Sequence, residues 1–88
     1  MIKVKIYAEY KDMIGKNEIE IPCKEMTFKE VVEFITSKYY SDFINVAIQN
    51  GKINEYMLVM ADDRMLTSID ETIKEGETLK ILATAHGG

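Results

Sequence analysis

Only one stretch of this chain carries apolar residues at helical spacing over several turns, and that stretch limits what the rest can build. Phe28, Val31, Val32 and Ile35 recur at the i, i+3, i+4 and i+7 positions of an amphipathic helix. Thr27-Phe28-Lys29-Glu30 fits the S/T-x-x-E capping box, in which the Thr hydroxyl and the Glu carboxylate satisfy free amides of the first turn. The spacing predicts one helix of about three turns over residues 27–38, with Phe34 off the main stripe and covering a flank. A single amphipathic helix covers one face of a small sheet, so the remaining residues must supply that sheet.

Period-two alternation marks where its strands lie. Ile2, Val4, Ile6 and Ala8 alternate with Lys3, Lys5, Tyr7 and Glu9, as in a strand with one buried face. Residues 11–17 break the pattern around Gly15 and read as a hairpin loop. Residues 18–21 return as a second strand, with Ile19 and Ile21 inward and Pro22 ending it. A shorter helical patch is expected over residues 41–49, where Phe43, Ile44, Ala47 and Ile48 cluster, with Asn50-Gly51 as its stop signal. Residues 55–60 read as a third strand, 61–64 as a turn, and Met65-Leu66 as a short apolar extension. Residues 68–73 read as a tight turn or short 3₁₀ segment burying Ile69 and Ile73, and Gly76 sits at the sharpest point of a turn over 74–77. Residues 79–83 form the last strand, with Leu79, Ile81 and Ala83 inward and Lys80 and Leu82 outward. The order predicts an α+β domain over residues 1–84, a mixed sheet of four to five strands gripping one main helix. The first and last strands alternate most strongly and are expected side by side at its centre. Residues 85–88 are then a flexible tail leaving the end of a central strand.

Composition narrows the function classes. Eighty-eight residues make one domain. Hydrophobic residues at 47% and charged residues at 30% fit a soluble globular chain rather than a disordered one. A net charge of −4 argues against a nucleic-acid binder and is compatible with a protein partner carrying a basic docking surface. Cys23 is the only cysteine, so no disulfide can form within the chain and no cysteine metal cluster can be built. The opening residues alternate apolar and charged types and lack the apolar core of a signal peptide. No run approaches a membrane span. A cytoplasmic protein is expected.

Catalytic chemistry is poorly supplied. His86 is the only histidine, so neither a histidine-based triad nor a two-histidine metal site is available. Cys23 follows Pro22 with no histidine near it in sequence and reads as a packing thiol. The acidic pairs Asp62-Asp63 and Asp70-Glu71 fall where turns and helix starts favour such residues, without an EF-hand pattern. Neither a P-loop nor a G-x-G-x-x-G motif is present. The Met residues, among them Met26, Met57, Met60 and Met65, read as core filling. The chain reads as a substrate or partner of enzymes, with no bound cofactor and no metal.

The tail carries the functional signal. His86-Gly87-Gly88 ends in two glycines, which at ordinary glycine usage happens by chance in roughly one chain in 200. Two residues without Cβ atoms let a terminal carboxylate pass through a narrow channel close to other backbone. The opening run 1–15, with its alternating strand, Tyr7-Ala8 pair, basic residue and Gly15, resembles the start of the MoaD family, the small subunit of molybdopterin synthase. The segment 66–81, with Glu75-Gly76-Glu77 before a final strand, and the terminal Gly87-Gly88 resemble that family's later signatures. The resemblance covers essentially the whole chain and extends to the related ThiS-like sulfur carriers. The His-Gly-Gly end is also similar to ubiquitin-related modifiers and to small archaeal modifiers.

That resemblance implies a ubiquitin-like β-grasp fold and a role as sulfur carrier. An activating enzyme would use ATP to adenylate the Gly88 carboxylate, and sulfur would displace AMP to leave a thiocarboxylate. The group would then be donated to a pterin precursor inside the large subunit of molybdopterin synthase, in molybdenum or tungsten cofactor assembly. Modification of protein lysines through Gly88, with sulfur donation for tRNA thiolation, is the alternative that the tail implies. A non-covalent interaction module is the third. Docking is expected through Leu82, the outward apolar residue nearest the tail, joined by Met57 or Val59 from the third strand. His86 is a candidate for recognition by the activating enzyme.

Overall fold

Alternation at both ends and one capped helix in the middle give a sheet wrapped around that helix. The computed structural model describes residues 1–84. In chain order its elements are β1 (Ile2–Ile6), α1 (Ala8–Ile14), β2 (Glu18–Ile21), β3 (Glu25–Thr27), α2 (Phe28–Lys38) and α3 (Phe43–Ala47). There follow β4 (Ile48–Gln49), β5 (Lys52–Ile53), β6 (Met57–Ala61), β7 (Arg64–Met65), β8 (Thr72–Lys74) and β9 (Thr78–Ala83). The main sheet has five strands in the order β2-β1-β9-β6-β7. β1 and β9 are parallel, with Val4 opposite Leu79 and Ile6 opposite Ile81, and the other pairs are antiparallel. This is the predicted mixed sheet, with the first and last strands adjacent at its centre.

The inner face of the sheet carries Ile2, Val4, Ile6, Val59, Leu79 and Ile81, and α2 lays Phe28, Val31, Val32 and Ile35 against it, all essentially fully buried. Burying each such side chain contributes about 1.5–3 kcal/mol, so this layer provides most of the drive to fold. The capping box forms as predicted: the Glu30 N–H donates to Thr27 Oγ1 at 3.1 Å, and the Thr27 N–H donates to Glu30 Oε1 at 2.9 Å. The next free amides of the helix, those of Phe28 and Lys29, donate to the carbonyls of Glu71 and Ile69 at 3.0 and 2.9 Å. The loop before β8 thus serves as backbone cap for α2, and β8 itself pairs with β3. Within the segment expected to bury Ile69 and Ile73, Ile73 is fully buried on β8 and Ile69 only partly.

Four expectations are corrected. The stretch 11–17 is not a plain hairpin loop. Residues 8–14 form α1, which buries Tyr10 and Ile14 one turn apart, and Gly15 ends it in a left-handed conformation at φ 80°. Ala8 therefore does not extend β1; it opens the helix at φ 56°. Asn50-Gly51, expected as a helix stop, is instead the two-residue turn of the β4–β5 hairpin, with both residues at positive φ. Paired positive φ values at a two-residue hairpin turn are what Asn-Gly accommodates best. The third strand starts at Met57, two residues later than the run of apolar residues suggested, because residues 54–56 form the turn that feeds it.

Candidate functional site: tail root and outer sheet face

The predicted tail residues His86, Gly87 and Gly88 lie outside the described residues. Their point of departure is well defined. β9 pairs with β6 out to Ala83 opposite Met57, and the next amide, Thr84, donates to the Tyr56 carbonyl at 3.0 Å. The same carbonyl accepts from the Tyr10 hydroxyl at 3.2 Å. Tyr10 is buried, and burial, with Glu9 beside it, pushes its phenol above the ordinary tyrosine value, so the hydroxyl remains a donor at neutral pH.

Asn54 shapes the turn that presents this carbonyl. It is the one buried polar side chain among the described residues. Its amide Nδ2 donates to the Val46 carbonyl at 2.9 Å, while its Oδ1 accepts from the Tyr56 N–H at 2.9 Å. Its own N–H donates to the Ala47 carbonyl at 2.8 Å, and its carbonyl accepts from Met57 at 2.9 Å. With both ends of the side chain and both backbone groups engaged, Asn54 braces the turn. Sequence reasoning missed Tyr10, Asn54 and Tyr56. The four-residue spacing of Tyr10 and Ile14 was the available signal for the first, and none marks the other two.

Leu82 lies on the outer face of the sheet, half-buried, as expected. Met57 and Val59 do not join it. Both are core residues, 5% and 1% exposed, and they face α2 with their cross-strand partners Ala83 and Ile81. The outward residues of β6 are Leu58 and Met60, and Leu58 stands directly opposite Leu82. The sequence Met57-Leu58-Val59-Met60-Ala61 is apolar at every position, so alternation gives a strand without saying which set faces the core.

The outer face near the tail root is therefore Leu82, Leu58 and Met60, with exposed Met65 beyond them on β7. On the other side, Tyr7 follows β1 in extended conformation, is exposed, and donates its N–H to the Ile81 carbonyl at 3.0 Å. An apolar surface of this kind is one that protein partners commonly cover.

No group of three or more His, Cys, Asp or Glu side chains converges to hold a metal among the described residues. Cys23 is half-buried, and its thiol contacts the Glu25 carbonyl at 3.1 Å. Two of the four acidic residues that sequence reading singled out have structural partners: Asp62 Oδ1 accepts from the Thr78 N–H at 3.0 Å, and Glu71 accepts from the N–H groups of Thr67 and Ser68. No helix among the described residues is long and apolar enough to cross a membrane.

No family model and no curated protein matches the sequence. Solved structures do. Over the full length of both chains, the fold matches a chain of the BexX/CysO complex from Amycolatopsis orientalis with a TM-score of 0.81 at 20% identity. It matches SAMP1 from Haloferax volcanii with a TM-score of 0.77 at 12% identity, covering 99% of this chain and 98% of that one. It also matches a Pyrococcus furiosus structure described as molybdopterin converting factor subunit 1, with a TM-score of 0.68 at 20% identity over 96% and 97% of the two chains. The expected architecture and these neighbours agree: the chain has the ubiquitin-like β-grasp fold.

Proposed function

We propose that this chain is a sulfur carrier for molybdopterin synthesis, with Gly88 as the reacting residue. One observation carries the reading: the strand leading to Gly87-Gly88 is the central β9 of a β-grasp sheet, and it ends beside an apolar outer face. A free carboxylate is a poor electrophile. Attack of the Gly88 carboxylate on the α-phosphate of ATP, bound by an activating enzyme, forms an acyl adenylate and releases pyrophosphate. A sulfide-level donor then forms the C–S bond at the Gly88 carbonyl and AMP departs, leaving a thiocarboxylate. The chain contributes reach through Gly87 and Gly88, a fixed departure point at Thr84, and a docking face at Leu82, Leu58 and Met60. The activating enzyme and the large synthase subunit supply the catalytic groups.

A second reading, conjugation of Gly88 to protein lysines, is favoured by the His86-Gly87-Gly88 end and by the fold shared with SAMP1. Intact mass spectrometry of the protein from its own cells, in free and high-mass fractions, separates the readings. The carrier reading expects a free chain with one C-terminal oxygen replaced by sulfur, located to the C-terminal peptide and reactive toward a thiol alkylator. That localisation matters because oxidation of any of the six methionines gives nearly the same mass change. Chains joined through Gly88 to lysines make the protein a modifier. An unaltered carboxylate in every fraction, under growth that demands the cofactor, leaves a non-covalent interaction module. Deleting Gly88 is expected to abolish adenylation outright while leaving the melting temperature unchanged.

A further inference from the structure

One row of side chains crosses all five strands on the outer face: Glu18 on β2, Lys5 on β1, Lys80 on β9, Met60 on β6 and Met65 on β7. Charge is uneven along it. Glu18 stands directly across from Lys5, yet its nearest ammonium is that of Lys3 on the diagonal, at 4.0 Å. Lys5 and Lys80 are left facing each other across the two central strands, and neither makes an ion pair among the described residues. Like charges directly opposite one another weaken a sheet. The arrangement also runs against the chain as a whole, which has 15 acidic residues to 11 basic ones. Both lysines are half-buried, as when part of the stem lies along the sheet, and Lys80 stands directly across from Met60.

We propose that the Lys5–Lys80 pair is the electrostatic anchor of the docking face, receiving a carboxylate of the activating enzyme while that enzyme's apolar side chains cover Leu58, Met60 and Leu82. The proposal rests on the carrier reading above. Charge complementarity selects the occupant: an aspartate or glutamate set among apolar residues neutralises both ammonium groups at once and removes the repulsion between them. A second copy stacked about a twofold axis at this pair would instead bring four lysines together.

The test is ATP–pyrophosphate exchange by the adenylating enzyme of the same cells, with the full chain as the varied substrate. Lys5→Glu and Lys80→Glu are each expected to raise KM roughly tenfold at unchanged kcat. Lys38→Glu, on α2 behind the sheet, is expected to change neither. Added salt should raise the wild-type KM and lower that of the Lys5→Glu/Lys80→Glu double variant, whose carboxylates repel the partner's. Lys80→Glu exchanges a like-charge pair for an opposite-charge pair, so its melting temperature should not fall. Equal KM values for wild type and both variants would overturn the lysine anchor and leave the carrier reading standing. So would a KM rise shared by Lys38→Glu or accompanied by a lowered melting temperature. No exchange with the wild type would overturn both.

Discussion

Ala8 holds a left-handed backbone conformation, φ 56°, at the junction where the extended Tyr7 hands over to α1. A side chain with a Cβ costs about 1–2 kcal/mol in that region, and glycine gives back about 0.4–1 kcal/mol through the unfolded chain. Ala8→Gly is therefore expected to stabilise the domain by about 0.5–1 kcal/mol, read as a rise in the urea midpoint at constant slope. A fall would mean that the alanine is relaxed in its surroundings. The kink has a structural consequence, since it starts the short helix that brings Tyr10 under the Tyr56 carbonyl and so under the root of the tail.

Among the elements, the turn-rich segment from β7 to β9 is tied together by one arginine. Arg64 reaches Glu71 at 3.5 Å, Glu77 at 3.1 Å and the Thr72 carbonyl at 3.1 Å. The N–H groups of Thr67 and Ser68 hold the Glu71 carboxyl below its ordinary value, with Arg64 adding to the effect. The Lys74 N–H does the same for Glu77, again with Arg64. A carboxyl lowered in the folded state stabilises fully above its unfolded pKa, about 4.3, and loses that contribution as pH falls through the folded value. The melting temperature should hold from neutrality to about pH 5 and then decline. Glu71→Gln should lower it at neutral pH and make the acid decline shallower; an unchanged acid profile would remove Glu71 from this account.

Legibility followed the same division between elements. β1, β2, β9 and α2 were readable because each buries one face and exposes another, so the period appears in the sequence. α1 was not: only Tyr10 and Ile14 face the core, and Gly15 invites a hairpin reading as readily as a helix cap. The phase of β6 was hidden by five apolar residues in a row, and with it the outward placement of Leu58 and Met60. The Asn50-Gly51 turn was legible in principle, since that dipeptide is the strongest short hairpin signal, but the strands on either side have two residues each.

On the scale of the whole molecule, net charge does not describe the outer face of the sheet. The acidic balance is compatible with a basic partner without demanding one, and the centre of the outer face presents Lys3, Lys5 and Lys80 beside an apolar strip. The corrected face also separates binding from stability. Leu58→Asp and Leu82→Asp should weaken adenylation tenfold or more, about 1.4 kcal/mol or above, with folding nearly intact. Val59→Asp, one residue along, should unfold the domain, because an unpaired carboxylate in the core costs several kcal/mol. Circular dichroism beside the exchange assay reads both, and a folded Val59→Asp would contradict the inward phase of β6.

The central position of β9 has a consequence for the order of events in the cell. Ribosomes release the chain from its amino end, so the strand in the middle of the sheet is the last described element to emerge. Until it arrives, β1 and β6 have no neighbour between them, and the core lacks Leu79 and Ile81. A translation product that stops short of β9 is then left as an open, sticky half-sheet, and the outer face forms only once Thr78–Ala83 has been made.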